Sequence, residues 1–87
     1  MGDVRDNAAA HRFELEREGR VATLDYDRGP GRITLIHTEV PPELRGHGVG
    51  DALVRGALEI VRREGLTLSV ICPFVRAYLR RHPDVPL

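Results

Sequence analysis

The stretch PPELRGHGVGDALVRGALEIV, Pro41 to Val61, decides how this chain is read. From Val49 onward, Val49, Ala52, Leu53, Gly56, Ala57, Ile60 and Val61 recur at the i, i+3, i+4, i+7 spacing of one helical face. Asp51, Arg55, Glu59, Arg62 and Arg63 fall outside that stripe. Ahead of it, Arg45-Gly46-His47-Gly48-Val49-Gly50 sets three glycines in six residues. Glycine lowers the stability of a helix or its entry unless the backbone must take a left-handed dihedral or lie close to something. A glycine-rich loop feeding a helix suits an anion, because the first helical N–H groups lack partners and the helix dipole is positive there. Arg45 adds the planar donor fork that fits phosphate oxygens. The glycines at 46, 48 and 50 are not spaced as in a dinucleotide fold's GxGxxG, and no Lys-Ser or Lys-Thr follows to make a Walker loop.

Upstream, RFELERE alternates Phe13 and Leu15 against charged neighbours, and RVATLDYD puts Ala22, Leu24 and Tyr26 on one face. Glu18-Gly19 joins these two strands as a hairpin turn. Asp27 to Gly31 forms a second turn into RITLIHTEV, a β-branched third strand that Pro41-Pro42 closes. Downstream, Gly65 caps the helix and LTLSVIC reads as a fourth strand with Leu66, Leu68, Val70 and Cys72 on one face. The helix is then a crossover between parallel neighbours, strands three and four. Pro73 opens a short second helix, FVRAYLRRH, ended by His82-Pro83. The expected architecture is α+β: a mainly antiparallel sheet of about four strands with two helices, ordered β-β-β-α-β-α. Residues 1–10 show no periodicity and read as a mobile leader, with one domain over 11–87.

With 87 residues the chain is one small domain, and 41% hydrophobic residues support a packed core. No apolar run approaches the ~20 residues of a membrane span, and MGDVRDNAAAHR lacks the apolar centre of a signal peptide, so the expected compartment is the cytoplasm. Thirteen basic and thirteen acidic residues cancel, which argues against nucleic acid as a partner. One cysteine, Cys72, excludes an internal disulfide, and four scattered histidines without a CxxC pair argue against a metal site.

Arg45-Gly46-His47-Gly48-Val49-Gly50 resembles the Arg/Gln-x-x-Gly-x-Gly/Ala signature of the GNAT superfamily of N-acetyltransferases, and it stands between a strand and a long helix as that signature does. VICPFVRAYLRRHPD narrows the resemblance to the small single-domain GNAT-like proteins, whose pattern pairs the loop with a Cys-Pro-Phe segment and a Tyr-x-x-x-His-Pro helix. The likeness runs from about Gly31 to Asp84. It implies acetyl-coenzyme A as cofactor, with its pyrophosphate on Arg45, Gly46, His47, Gly48, Val49 and Gly50. It also implies a backbone N–H near Glu39 or Val40 that holds the thioester carbonyl. A glutamate at the place of Glu39 resembles the superfamily's general base. His37 has the more suitable ordinary pKa, and strand periodicity puts both on the face of Ile33 and Leu35. Tyr78 resembles the tyrosine that protonates the departing thiolate, although Phe74, Val75, Tyr78 and Leu79 also form an ordinary core stripe.

Cys72 separates two mechanisms: as a nucleophile it would carry the acetyl group, and as a small buried hydrophobe it leaves direct attack by the amine. Direct attack is the preferred reading. Acyl transfer through Cys72, or a coenzyme-binding sensor without turnover, are the alternatives. The chain lacks the extra helices and strands that build the acceptor pocket in larger members of the superfamily. Its cleft is therefore open to a large amine such as that of a protein, or is completed by a second copy or another protein.

Overall fold

The computed structural model describes residues 4–86. Its hairpins follow from backbone chemistry. Arg12–Arg17 (β2) and Arg20–Gly29 (β3) pair antiparallel with Arg17 opposite Arg20, leaving Glu18 and Gly19 as the two-residue loop. Both take left-handed dihedrals, φ 53° and 77°, the twist that a two-residue hairpin requires. A second tight turn, with Gly31 at φ 70°, leads into Arg32–Glu39 (β4), antiparallel to β3. Val49–Arg63 (α1) then crosses over, and Thr67–Val70 (β5) returns parallel to β4, from Arg32 opposite Thr67 to Leu35 opposite Val70. Pro73–Arg81 (α2) follows.

One strand is additional to the expected set. Arg5–Asn7 (β1) pairs antiparallel with β2, so the sheet has five strands in the order β1-β2-β3-β4-β5. The mobile leader expected over residues 1–10 is thus corrected from Arg5 onward, while positions 1–3 lie outside the described residues. Periodicity could not reveal this strand, because polar bonds hold it. The Asp6 carboxylate accepts from Tyr26 Oη at 2.5 Å and lies 3.4 Å from the Arg28 guanidinium, and Arg28 also pairs with Glu64 at the end of α1. Burial and the Asp6 carboxylate push the Tyr26 hydroxyl up to about 12. Val4 lies against α1 where that helix has Gly56: a Cβ there would stand 2.4 Å from Val4 Cγ2.

The core lies on one face of the sheet. Phe13, Leu15, Ala22, Leu24, Ile33 and Leu35 meet Leu53, Val54 and Ala57 of α1 and Val75 of α2, all at most 1% exposed. Each of the larger side chains among them contributes about 1.5–3 kcal/mol, a large share of a small domain's stability. Both helices pack on this face, and among the described residues no helix covers the other.

On the open face a carboxylate is nevertheless buried. Glu14, 3% exposed, accepts from Asn7 Nδ2 at 2.9 Å, Arg12 Nε at 2.7 Å and Arg5 Nη2 at 2.8 Å. The Asn7 amide first, then Arg12 and Arg5, hold its pKa at about 2, below the ordinary 4.5. A carboxyl depressed in the folded state contributes stability that is complete above its unfolded pKa and is lost as pH falls through the folded one. The window is therefore between 4.5 and about 2. Because Arg5 and Arg12 are 60% and 40% exposed, screening reduces the contribution to about 2 kcal/mol. Glu14→Gln is expected to lower unfolding free energy by that amount at pH 7. Urea titrations repeated from pH 7 to pH 2 should show variant and parent converging at the acid end.

Candidate active site

The site begins with an irregularity in β4. Tyr26 stands opposite Leu35 and Asp25 opposite His37, so Ile36 has no cross-strand partner. One extra residue in a strand reverses which face each later side chain meets. Ile33 and Leu35 point into the core, and beyond the bulge the inward positions are Thr38 and Val40. The expectation that His37 and Glu39 share the face of Ile33 and Leu35 is therefore corrected. Their side chains are 60% and 67% exposed on the opposite face, with His37 Nε2 3.2 Å from Glu39 Oε1. Simple alternation cannot foresee this, since it assumes a strand without insertions.

The sheet opens at the same place. The Leu35 carbonyl accepts from both Ile71 N, at 2.9 Å, and Cys72 N, at 3.1 Å, and the β4–β5 register ends there. Beyond it β4 runs on to Glu39, while the other chain turns at Pro73 into α2. A cavity of about 360 Å³ lies in this region. Thr38 of β4, Val40 just beyond it, Leu44 to Gly46, Gly48 to Asp51 and Phe74 of α2 line it.

Within the loop the three glycines serve different ends. Gly46 and Gly48 have φ of 81° and 73°, and a Cβ on either would meet nothing within 4 Å. They are required for backbone shape and leave bare backbone facing open space. Gly50 is different: its Cβ would stand 2.6 Å from Phe74 Cζ, so this glycine admits the Phe74 ring and joins α1 to α2. Gly48 caps α1 without a side-chain bond, and the first helical hydrogen bond is Ala52 N to Gly48 O. The amides of Val49, Gly50 and Asp51 therefore precede the helix's own hydrogen bonding. Arg45 Nε donates to the Val40 carbonyl at 3.0 Å, tying the loop to the end of β4, and His47 is exposed.

Asp51 brings a carboxylate to this cradle. Arg81 holds it through two bonds, 3.0 and 3.2 Å, and the hydrogen bonds from Arg81 keep its pKa below the ordinary carboxylate value. The pair also links the start of α1 to the end of α2. Its charges cancel, so the free amides and Arg45 set the sign of the cradle as positive.

Cys72 is 1% exposed at the N-cap of α2, with Sγ 3.2 Å from Thr38 Oγ1. It touches a residue of the cavity without lining it. Tyr78 is not brought to the cavity either. It is 4% exposed, its ring centroid is 4.3 Å from that of His82, and it faces a second cleft of about 210 Å³ between α1 and Val85-Pro86. Sequence reasoning missed Thr38, Phe74 and the Asp51–Arg81 pair. Only the bulge could have exposed Thr38. The clash at Gly50 that marks Phe74 depends on how the helices cross.

The loop, the opened sheet and the helix start suit a ligand with anionic groups and an extended chain. A family model described as GCN5-related N-acetyl-transferase matches residues 12–86. Protein NATD1 of Xenopus tropicalis is 33% identical over 93 residues, covering 93% of this chain and 85% of that protein. Protein NATD1 of Gallus gallus and that of Homo sapiens are each 36% identical over 63 residues, 71% of this chain and 57% and 56% of those proteins. The chain thus covers little more than half the length of these two relatives. The family match takes in every element from β2 to α2, with the loop and the opened sheet between them, and the chain belongs to the GCN5-related N-acetyltransferase family.

Proposed function

We propose that this chain binds acetyl-coenzyme A in the loop cavity and transfers the acetyl group to an amine by direct attack. The observation that carries this reading is the pair Gly46 and Gly48, left-handed and open at Cβ, set against a helix start with uncapped amides. Bare backbone of that shape takes phosphate oxygens. Acetyl-coenzyme A supplies the activated thioester. Arg45 and the amides of Val49, Gly50 and Asp51 bind its pyrophosphate, with Gly46 and His47 at the outer rim. The edge of β4 beyond Leu35, no longer paired with β5, receives the extended pantetheine arm as a strand would. The Val40 amide polarises the carbonyl, and Arg45 fixes that segment by holding the Val40 carbonyl.

Glu39 and His37 lie on the other face of β4, the side from which an acceptor amine reaches the opening without crossing the coenzyme. Either takes the amine's proton, directly or through water. Among the described residues no helix covers that face, which leaves room for an amine carried on a protein surface. The near-complete burial of Cys72 and its absence from the cavity lining favour direct attack over an acyl-cysteine. Retention of the cradle without turnover, as in a sensor, is the second reading. Calorimetric titration with acetyl-coenzyme A, followed by intact mass without acceptor, separates the three. Binding with no adduct and acetylation of an added amine is the expected result. An acetyl adduct on Cys72 gives the acyl-enzyme, and binding alone gives the sensor.

Gly48→Ala forces a left-handed dihedral on alanine, at about 1–2 kcal/mol, and puts a methyl group on the cradle. Its affinity for acetyl-coenzyme A should fall about tenfold or more, and unchanged affinity by calorimetry sinks the loop assignment. Gly50→Ala acts through packing instead. It should destabilise the domain by about 1–3 kcal/mol through the Phe74 ring, and Phe74→Leu in the same chain should restore part of the melting temperature. Arg81→Ala leaves Asp51 uncompensated beside the anion, and affinity should drop about threefold to tenfold at low salt, with the difference shrinking as salt rises.

A further inference from the structure

With Tyr78 turned to the second cleft, the departing thiolate needs another proton source. Three cavity-lining residues carry protic or titratable side chains: Thr38, Arg45 and Asp51. A guanidinium is not an acid in proteins, which sets Arg45 aside. Asp51 is kept ionised by Arg81 and has no proton to give. Thr38 remains, the one hydroxyl in the lining, turned inward by the bulge at Ile36.

A threonine alone is a poor acid, because it would be left as an alkoxide. Here its Oγ1 has a companion: the Cys72 sulfur, 3.2 Å away and almost wholly buried from solvent. That sulfur occupies the N-cap position of α2, beside the positive end of the helix dipole. Proton donor and final acceptor are both alkyl thiol sulfurs, so the relay moves a proton between groups of one kind.

We propose that Thr38 donates the proton to the leaving thiolate and that Cys72 resupplies it, a relay resting on the acetyltransferase reading above. The amine attacks the thioester carbonyl, and the carbon–sulfur bond breaks with its electron pair passing to the coenzyme sulfur. Thr38 Oγ1 gives its proton to that sulfur while taking one from Cys72 Sγ. Cys72 is left as the thiolate, and the amine's surplus proton passes to His37, Glu39 or water. A water proton returned through Thr38 restores Cys72 once product has left. The sum is amine plus acetyl thioester giving amide plus free thiol. Thr38 acts on the reacting sulfur, and Cys72 acts through Thr38.

The test uses the full chain with acetyl-coenzyme A and a lysine-rich peptide as the amine, following thiol release, coenzyme affinity by calorimetry and intact mass. Thr38→Val should keep coenzyme affinity within about twofold and lower kcat by about a hundredfold or more, the range of a lost general acid. Thr38→Ser should recover most of the rate. Cys72→Ala should lose kcat to a similar extent, and combining it with Thr38→Val should cost little beyond either alone, since the two act as one unit. The solvent deuterium effect on kcat in the parent should shrink in Cys72→Ala. A wild-type rate in Thr38→Val, no recovery in Thr38→Ser, or an acetyl adduct on Cys72 each overturns the relay while leaving coenzyme binding in place. A parent chain that fails to bind acetyl-coenzyme A, or binds it and releases no thiol, overturns the acetyltransferase reading and the relay with it.

Discussion

One carbonyl governs the functional half of this molecule. The Leu35 oxygen accepts from the amides of Ile71 and Cys72 together, so both of its lone pairs are occupied at the last rung of the β4–β5 ladder. A third N–H cannot join that carbonyl, and Pro73 has no N–H to offer the next rung. The two strands must part. The bulge at Ile36 falls one residue further along β4, and there the strand reverses its faces. Opening and reversal at adjacent positions put Thr38 and Val40 into the gap and put His37 and Glu39 outside it. Either device alone would give something less useful. A parted strand without the bulge would turn His37 and Glu39 inward, and a bulge in a fully paired strand would leave no gap to line.

The electrostatics of the gap follow a similar division. The helix start supplies donors without side chains, Arg45 is tied down at Nε, and the Asp51 carboxylate, a liability beside an anion, is neutralised by Arg81 from the other helix. Asp51 also lies in the first turn of α1, where negative charge supports the helix. The Asp51–Arg81 pair and the Gly50–Phe74 contact are two connections between the same helices, one polar and one apolar. They border the cavity on neighbouring positions of α1. Helix docking and the shape of the cradle are therefore one property.

What the sequence made legible is what local chemistry decides. The Glu18-Gly19 turn, the crossover and the Pro73 start are each set by a few residues and appear as expected, while the buried face of α1 is rotated from the expected stripe, taking in Gly50, Val54 and Leu58 and leaving Ala52, Gly56 and Ile60 half-buried. The glycines at 46 and 48 were readable as a demand for left-handed backbone, and both take it. Reading failed where the cause is distant in the chain. β1 is held by Tyr26, Arg28 and Glu14, residues up to 22 positions away, so Arg5–Asn7 carries no pattern of its own. The faces of His37 and Glu39 depend on an unpaired residue that alternation cannot mark. Gly50 looks like its two neighbouring glycines in sequence and differs from them only because Phe74 arrives from α2.

A sheet with helices on one face only must solve a problem that a sheet covered on both faces does not meet, which is how to finish the bare face. Apolar residues there would leave a patch prone to association, and a helix would need more chain. This domain uses charge. Glu14 sits under Arg5, Asn7 and Arg12, and among the described residues no buried side-chain nitrogen or oxygen is left without a partner. A buried carboxylate with three donors is tolerable, whereas the same carboxylate with one missing would be destabilising. The cluster finishes the face over β1 and β2 and stops short of β4. Among the described residues, the face of β4 that carries His37 and Glu39 is consequently left open by the same construction.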